Sequence, residues 1–137
     1  SDGGKHRPVM IHRAPFGSME RFCGVLIEHF NGMFPTWLSP TQVHILTISE
    51  KHKDYANKIA QSLRELAIRV EMDTGDDTIG KKLRTHRSMR PAYLMILGDD
   101  EQSNKTVSFL GPDRVQKNGT PIKEFISTIT SEINLKK

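Results

Sequence analysis

A chain of 137 residues, 36% hydrophobic and 26% charged, has room for one ordinary domain with its own core plus about thirty residues of something else. This composition favours neither disorder nor a membrane class, and no apolar run approaches the roughly 18–20 residues that a bilayer-spanning helix needs. A net charge of +4 permits a polyanionic partner without pointing to one, and the single cysteine, Cys23, excludes an internal disulfide framework and a CxxC metal site.

Ser1 to Arg7 is polar and glycine-rich, unlike a signal peptide, and reads as loop. Pro8 to Arg13 is a short apolar run, and so a predicted strand. Ala14-Pro15-Phe16-Gly17 breaks it, and Ser18 is placed to cap a helix reaching about Phe30, with Glu20 in its first turn. Phe22, Cys23, Val25, Leu26, Ile27 and Phe30 cover most of that helix's circumference. It is therefore expected to be buried on several sides, with Cys23 an inert thiol in a reducing compartment. The rest of so short a segment cannot supply those partners, so residues 1–34 are expected to be the edge of a larger body. Asn31 to Pro40 holds Gly32, Pro35, Trp37 and Pro40 and reads as a linker anchored by Phe34 and Trp37.

From Thr41 the pattern alternates. Val43–Ile48 reads as a strand and Glu50–Leu66, capped by Ser49, as a helix with one apolar face. Ile68–Met72 reads as a second strand, ending in the acidic turn Asp73–Asp77, and a short helix follows over Ile79–Met89. Tyr93–Leu97 is a third strand, closed by Gly98-Asp99-Asp100; Val107–Leu110 is a short edge strand with a partner near Arg114–Gln116. Pro121 takes the first position of a last helix, whose stripe is Ile122, Phe125, Ile126, Ile129 and Ile133. These units imply right-handed βαβ crossovers and a three-layer α/β/α domain over 43–137, with a mainly parallel, mixed sheet of about five strands and residues 35–42 as linker. Ligands of such sheets gather at the C-terminal strand ends, here Ser49, Asp73–Asp77 and Gly98–Glu101.

Gly80 to Arg90 carries Lys81, Lys82, Arg84, Arg87 and Arg90 and no acid, directly after that acidic turn. Such a helix can neutralise RNA phosphates, while Asp73, Asp76 and Asp77 accept hydrogen bonds from the exposed base edges of a splayed strand. A solvated basic face is the equally weighted alternative. His12 at a strand end is either a structural histidine or a metal ligand, and no other ligand stands at suitable spacing. Arg21, among Met19, Phe22 and Val25, must be paired with a carboxylate such as Glu20 or Glu28, or face a ligand's phosphate.

Two segments carry a resemblance. Arg7-Pro8-Val9-Met10-Ile11-His12-Arg13-Ala14 with Gly17-Ser18-Met19-Glu20-Arg21-Phe22 resembles motif 3 of the class II aminoacyl-tRNA synthetases in its threonine form. Phe34-Pro35-Thr36-Trp37-Leu38-Ser39-Pro40-Thr41-Gln42-Val43 resembles that family's passage into its anticodon-binding domain, and the likeness runs on through Ile79-Gly80-Lys81-Lys82-Leu83-Arg84 and Gly98-Asp99. The resemblance implies that residues 1–34 are the end of a class II catalytic domain and 43–137 an anticodon-binding domain. It implies that Arg21 contacts ATP phosphate, that Gly17 and Ser18 lie near bound substrate, and that His12 is one of three ligands of a zinc that reads threonine. It further implies that Asp76, Lys81, Lys82, Arg84 and Glu101 contact the anticodon loop of a tRNA.

The whole enzyme so implied is an ATP- and magnesium-dependent threonine–tRNA ligase, a homodimer through its catalytic domain, cytoplasmic or organellar. This chain alone is expected to be a monomeric RNA-binding piece without catalysis or a cofactor of its own. Four positions depart from the family: Thr78 and Leu110, both expected to help read the anticodon, the latter within a stretch where the family has a run of arginines, and more mildly Pro15 and Ala67, the last where glycine commonly ends the helix. The rival reading is an anticodon-like domain reused as a protein-interaction module, for which Phe109 and Leu110 on a sheet edge would serve.

Overall fold

The computed structural model describes residues 2–136. Each apolar run between Gln42 and Leu97 becomes a parallel strand: β1 (Val43–Thr47), β2 (Val70–Asp73) and β3 (Tyr93–Leu97). β1 is central among them, pairing Val43 with both Val70 and Tyr93. β4 (Thr106–Leu110) and β5 (Gln116–Pro121) add antiparallel to β3, giving the order β2-β1-β3-β4-β5. The sheet is five-stranded and mixed, and the fold class is α/β, as the alternating pattern implies.

Strand periodicity divides the core in two. Val43, Ile45, Tyr93, Met95, Leu97, Val107 and Phe109 point to the face covered by helices α2 (Lys53–Glu65) and α5 (Ile122–Asn134). There Tyr93, Phe109 and Phe125 pack with ring centroids 4.9–5.6 Å apart. Each fully buried side chain on this face contributes roughly 1.5–3 kcal/mol. Among the described residues the opposite face holds only Leu46, Leu94 and Leu110 as a buried apolar cluster, with Ile79 and Leu83 of helix α3 (Ile79–Ser88) against them.

Several elements differ from the sequence expectations. No strand forms over residues 8–13: Val9 is 90% exposed and no described strand lies beside it. Helix α1 (Met19–Phe30) does form, and Ser18 caps it by accepting the N–H of Arg21 at 3.3 Å. Yet none of its residues is buried, and Cys23 is exposed rather than an interior thiol. Its apolar contacts are local, Phe16 stacking on Phe22 and Phe30 leaning on Phe34.

The segment Gly98-Asp99-Asp100, expected only to end a strand, starts a short helix α4 (Asp99–Asn104). Three acids favour its first turn, and Glu101 reaches back to accept the Gly98 N–H at 2.9 Å. β4 is not an edge: it lies between β3 and β5, and Phe109 and Leu110 are buried. Pro121 ends β5 and stands at the N-cap of α5 rather than inside it.

The segment expected as a linker is fastened to the domain. Gln42 donates to the Thr36 carbonyl at 2.9 Å and accepts the Arg69 N–H at 2.9 Å. The Arg69 guanidinium donates to the carbonyls of Trp37, Ser39 and Pro40, and the Thr36 hydroxyl to Glu132 on α5. Thr36, Ser39 and Gln42 are consequently buried.

Ala67 follows the C-terminus of α2 with φ 58°, and its N–H donates to the Arg64 carbonyl at 2.9 Å. A left-handed cap costs an L-residue roughly 1–2 kcal/mol, which glycine escapes at the expense of greater unfolded-state entropy. Ala67→Gly is expected to raise stability by about 0.5–1 kcal/mol, read as a higher urea midpoint at unchanged slope. An unchanged or lower midpoint would mean that the cap is not strained.

Candidate nucleic-acid interface

Helix α3 carries the basic run, and helical spacing sorts its charges. Lys82 and His86 lie on its buried side, flanked by the half-buried Ile79 and Leu83, while Lys81, Arg84 and Arg87 lie outside. The buried side therefore docks largely through polar groups. The Lys82 ammonium donates to the carbonyl of Thr47, the last residue of β1, at 2.9 Å, with the Asp73 carboxylate 3.8 Å away. His86 Nε2 stands 2.6 Å from the other Asp73 oxygen, and its ring stacks on His44 at 3.9 Å. His44 Nδ1 in turn faces Glu71 at 3.4 Å. Glu71, His44, His86, Asp73 and Lys82 thus form a continuous seam joining β1, β2 and α3.

This seam corrects the expectation for Lys82, which is only 1% exposed and bound to Thr47, out of reach of an RNA phosphate. Asp73 is likewise committed. Burial pushes its carboxyl up, but His86, the Gly75 N–H and Lys82 together outweigh that and hold it below the usual carboxylate range. For His44, burial is the main cause that lowers its pKa, the neighbouring His86 adds to it, and Glu71 and Asp73 oppose.

Glu101 is also engaged by the fold. One oxygen accepts the Gly98 N–H, and the other accepts the Ser108 hydroxyl at 2.6 Å. Gly119, at φ 64° beside the irregular pairing of β4 with β5, donates its N–H to the same hydroxyl at 3.4 Å. The carboxylate expected to meet an anticodon base is a fastener between α4, β4 and β5.

The remaining candidates face solvent. Lys81 pairs with Asp77 at 2.8 Å, an exposed i,i+4 contact worth little. Arg84 and Asp76 are exposed and have no side-chain partner among the described residues. α3 lies over β1 with Ile79 and Leu83 against the buried Leu94 and Leu110, α4 reaches the buried Ser108 through Glu101, and β5 is exposed. On this face Leu94 pairs with Leu110, Ile96 with Ser108, and Leu110 with Gln116; the Gln116 and Asn118 amides hydrogen-bond at 2.9 Å. Paired residues share a face, so the exposed Gln116 and Asn118 amides lie on the side of the sheet that α3 packs on. The amides of β5 carry no sequence signal of their own, and only the register reveals them.

His12, Gly17, Ser18 and Arg21 are all exposed, and the structure brings none of them into a pocket with the anticodon candidates. Arg21 has no ion-pair partner among the described residues. No group of three or more His, Cys, Asp or Glu side chains that could hold a metal occurs among them either. His12 alone does not fit a zinc centre.

A family model described as the anticodon binding domain matches residues 42–132. The chain belongs to that family. Threonine–tRNA ligases of Clostridium tetani and Clostridioides difficile are 47% and 48% identical to it over 97% and 96% of its length. The likeness to the threonine enzymes therefore extends through the motif 3 segment as well as the domain. The chain spans about a fifth of those relatives, 21% of each. A solved RNA-binding domain of threonyl-tRNA synthetase from Cryptosporidium parvum superposes with a TM-score of 0.79 at 33% identity, covering 88% of this chain and 30% of that one. A prolyl-tRNA synthetase from the same organism, at 23% identity and TM-score 0.72 over 84% of this chain and 26% of that one, shares the fold.

The seam makes two predictions. Lys82→Met should lower stability by about 1–3 kcal/mol by stranding the Thr47 carbonyl, whereas Lys81→Ala should stay within about 0.5 kcal/mol. Equal denaturation midpoints for the two variants would show that the buried ammonium holds nothing. His44 adds stability that is complete above about pH 6.5, its ordinary value, and is lost as the pH falls through its depressed folded value. His44→Gln should flatten that part of the stability–pH curve, and a curve of unchanged shape would contradict the assignment.

Proposed function

We propose that this chain is the anticodon-reading part of a threonine–tRNA ligase and that the outer side of α3 and the exposed strand β5 form the RNA surface. The observation that carries this reading is the position of Arg84 and Arg87 on the solvent side of a helix whose other side is fixed to the sheet by Lys82 and His86. Arginine on that flank neutralises phosphates irrespective of sequence; Asp76 and the Gln116 and Asn118 amides offer donors and acceptors to unstacked base edges. Family membership and the threonine–tRNA ligase relatives support the choice of RNA and of amino acid.

For the whole enzyme we propose ATP-dependent attachment of threonine to its tRNA, in the cytoplasm, by a homodimer joined through the catalytic domain. Within it Arg21 would meet ATP phosphate with its magnesium, and Gly17 and Ser18 would border the substrate. His12 would be one zinc ligand, with the remainder of the set outside the described residues. The rival reading as a protein-interaction module loses its main support, because Phe109 and Leu110 are interior residues of β4.

The test is fluorescence anisotropy of the full chain with RNA hairpins carrying threonine or other anticodons, across a range of salt. Arg84→Gln should weaken binding to all hairpins alike and reduce the salt slope by about 0.7–0.9. Asp76→Ala should leave the slope alone and reduce the anticodon preference. A chain that binds every hairpin equally well before mutation would rule out anticodon reading.

A further inference from the structure

Two Asn-Gly pairs occur in the chain, Asn31-Gly32 and Asn118-Gly119, and the fold treats them in opposite ways. In such a pair the glycine nitrogen can attack the side-chain carbonyl of the asparagine, because no Cβ on the second residue crowds the approach. The reaction needs an exposed asparagine amide, a glycine N–H that no strong hydrogen bond holds, and a backbone free to bend toward the side chain.

Asn31-Gly32 fails these conditions. Asn31 is the left-handed C-cap of α1, at φ 49°, and its N–H donates to the Glu28 carbonyl at 3.1 Å. The Gly32 N–H donates to the Ile27 carbonyl at 2.9 Å. These bonds close the end of the helix, so attack on the Asn31 side chain would first have to open its cap.

Asn118-Gly119 meets them. Both residues are exposed. They stand where the pairing of β4 with β5 slips: Val107 faces Thr120 and Phe109 faces Lys117, which leaves the single residue Ser108 opposite the two of them. Gly119 has φ 64°, and its N–H is turned to the Ser108 hydroxyl at 3.4 Å, longer than a strong N–H bond to oxygen. On the electrophilic side, the Gln116 amide donates to Asn118 Oδ1 at 2.9 Å. That bond draws electron density from Cγ and steadies the oxyanion that attack creates.

We infer that Asn118 is a site of spontaneous deamidation, and that its conversion charges β5 and weakens RNA binding. The loss of RNA affinity rests on the RNA reading given above; the deamidation does not. The Gly119 nitrogen gives its proton to hydroxide and bonds to Asn118 Cγ. The bond from Cγ to Nδ2 then breaks, and the amide nitrogen takes a proton from water and leaves as ammonia. The five-membered imide adds water and opens at either carbonyl, giving aspartate or isoaspartate. Either product sets a carboxylate beside Gln116 on the exposed strand, where it repels a phosphate backbone.

The experiment holds the unaltered chain folded in warm, mildly alkaline buffer, with a parallel sample in urea, and weighs the peptides of each after digestion. In the folded chain the peptide holding Asn118 should gain one mass unit with time while that holding Asn31 does not; in urea both should gain it. Equal conversion of the two asparagines in the folded chain, or none at Asn118, would overturn the inference. The same folded samples are titrated with a threonine-anticodon hairpin. The aged chain and fresh Asn118→Asp should each bind roughly threefold more weakly than the fresh unaltered chain, the scale of one solvated like-charge contact. Asn118→Gln, whose side chain would have to close a larger ring, should keep its own starting affinity throughout. Conversion at Asn118 with unchanged hairpin binding would overturn the effect on RNA and leave the modification standing. Failure of the fresh chain to bind any hairpin would remove the RNA reading, and the mass gain would still decide the deamidation.

Discussion

Thr47 closes β1, and its carbonyl oxygen has no strand beyond it to accept from; the ammonium of Lys82 fills that place at 2.9 Å. This contact sets where α3 sits. A buried charge is tolerated only where it is hydrogen-bonded and partly neutralised, and Lys82 has both conditions in the Thr47 carbonyl and the Asp73 carboxylate. The condition is geometric. If α3 slid by one turn along the sheet, the ammonium would lose its partners, a penalty that a purely apolar contact surface would not impose. Polar burial of this kind gives up stability that a hydrocarbon side chain could supply and gains register, the trade for which such groups are best attested. Here the register matters because the outer side of α3 presents Arg84 and Arg87.

The two faces of the sheet are unequal for a connected reason. The back face carries the aromatic cluster and two long helices, enough apolar area to stabilise the domain. The front face carries three buried leucines and one ten-residue helix lying over β1. Because the seam supplements this thin apolar contact, in which Ile79 and Leu83 reach Leu46, Leu94 and Leu110, one short helix suffices on this face.

The parallel strands and long helices were legible because each is a local pattern: β3 runs over Tyr93–Leu97 as its apolar run implies, and α3 stops within a residue of the predicted end. The Gly98 turn hid α4, because three consecutive acids read as loop until Glu101 is seen to cap the Gly98 N–H. The strand expected at 8–13 depended on a neighbour that no local pattern can supply. The site was harder. The four Lys and Arg residues of α3 look equivalent in sequence, and only the burial of Lys82 against a strand end separates the structural cation from the solvent-facing ones. The engagement of Glu101 was hidden for the same reason, since its partner Ser108 lies in the next strand. Arg114 gave no signal, because its nearness to Arg87 is a property of the sheet order alone.

Leu110 links the departures from the family pattern to this charge distribution. It pairs with Leu94 and completes the thin apolar cluster under α3. An arginine in its place would have to leave that cluster or bury its charge, so leucine here favours the packing of α3 over a direct contact with RNA. The charge absent from 110 is present at its borders, since Arg87 and Arg90 at the end of α3 and Arg114 after β4 line one cleft with Leu110. The α1–linker corner belongs to the same cleft, because Asn31 and Met33 line it and the Gln42–Arg69 clasp anchors the segment that follows them. The clasp, the seam and the cleft then act on one surface, the first fixing its border, the second its helix and the third its charge.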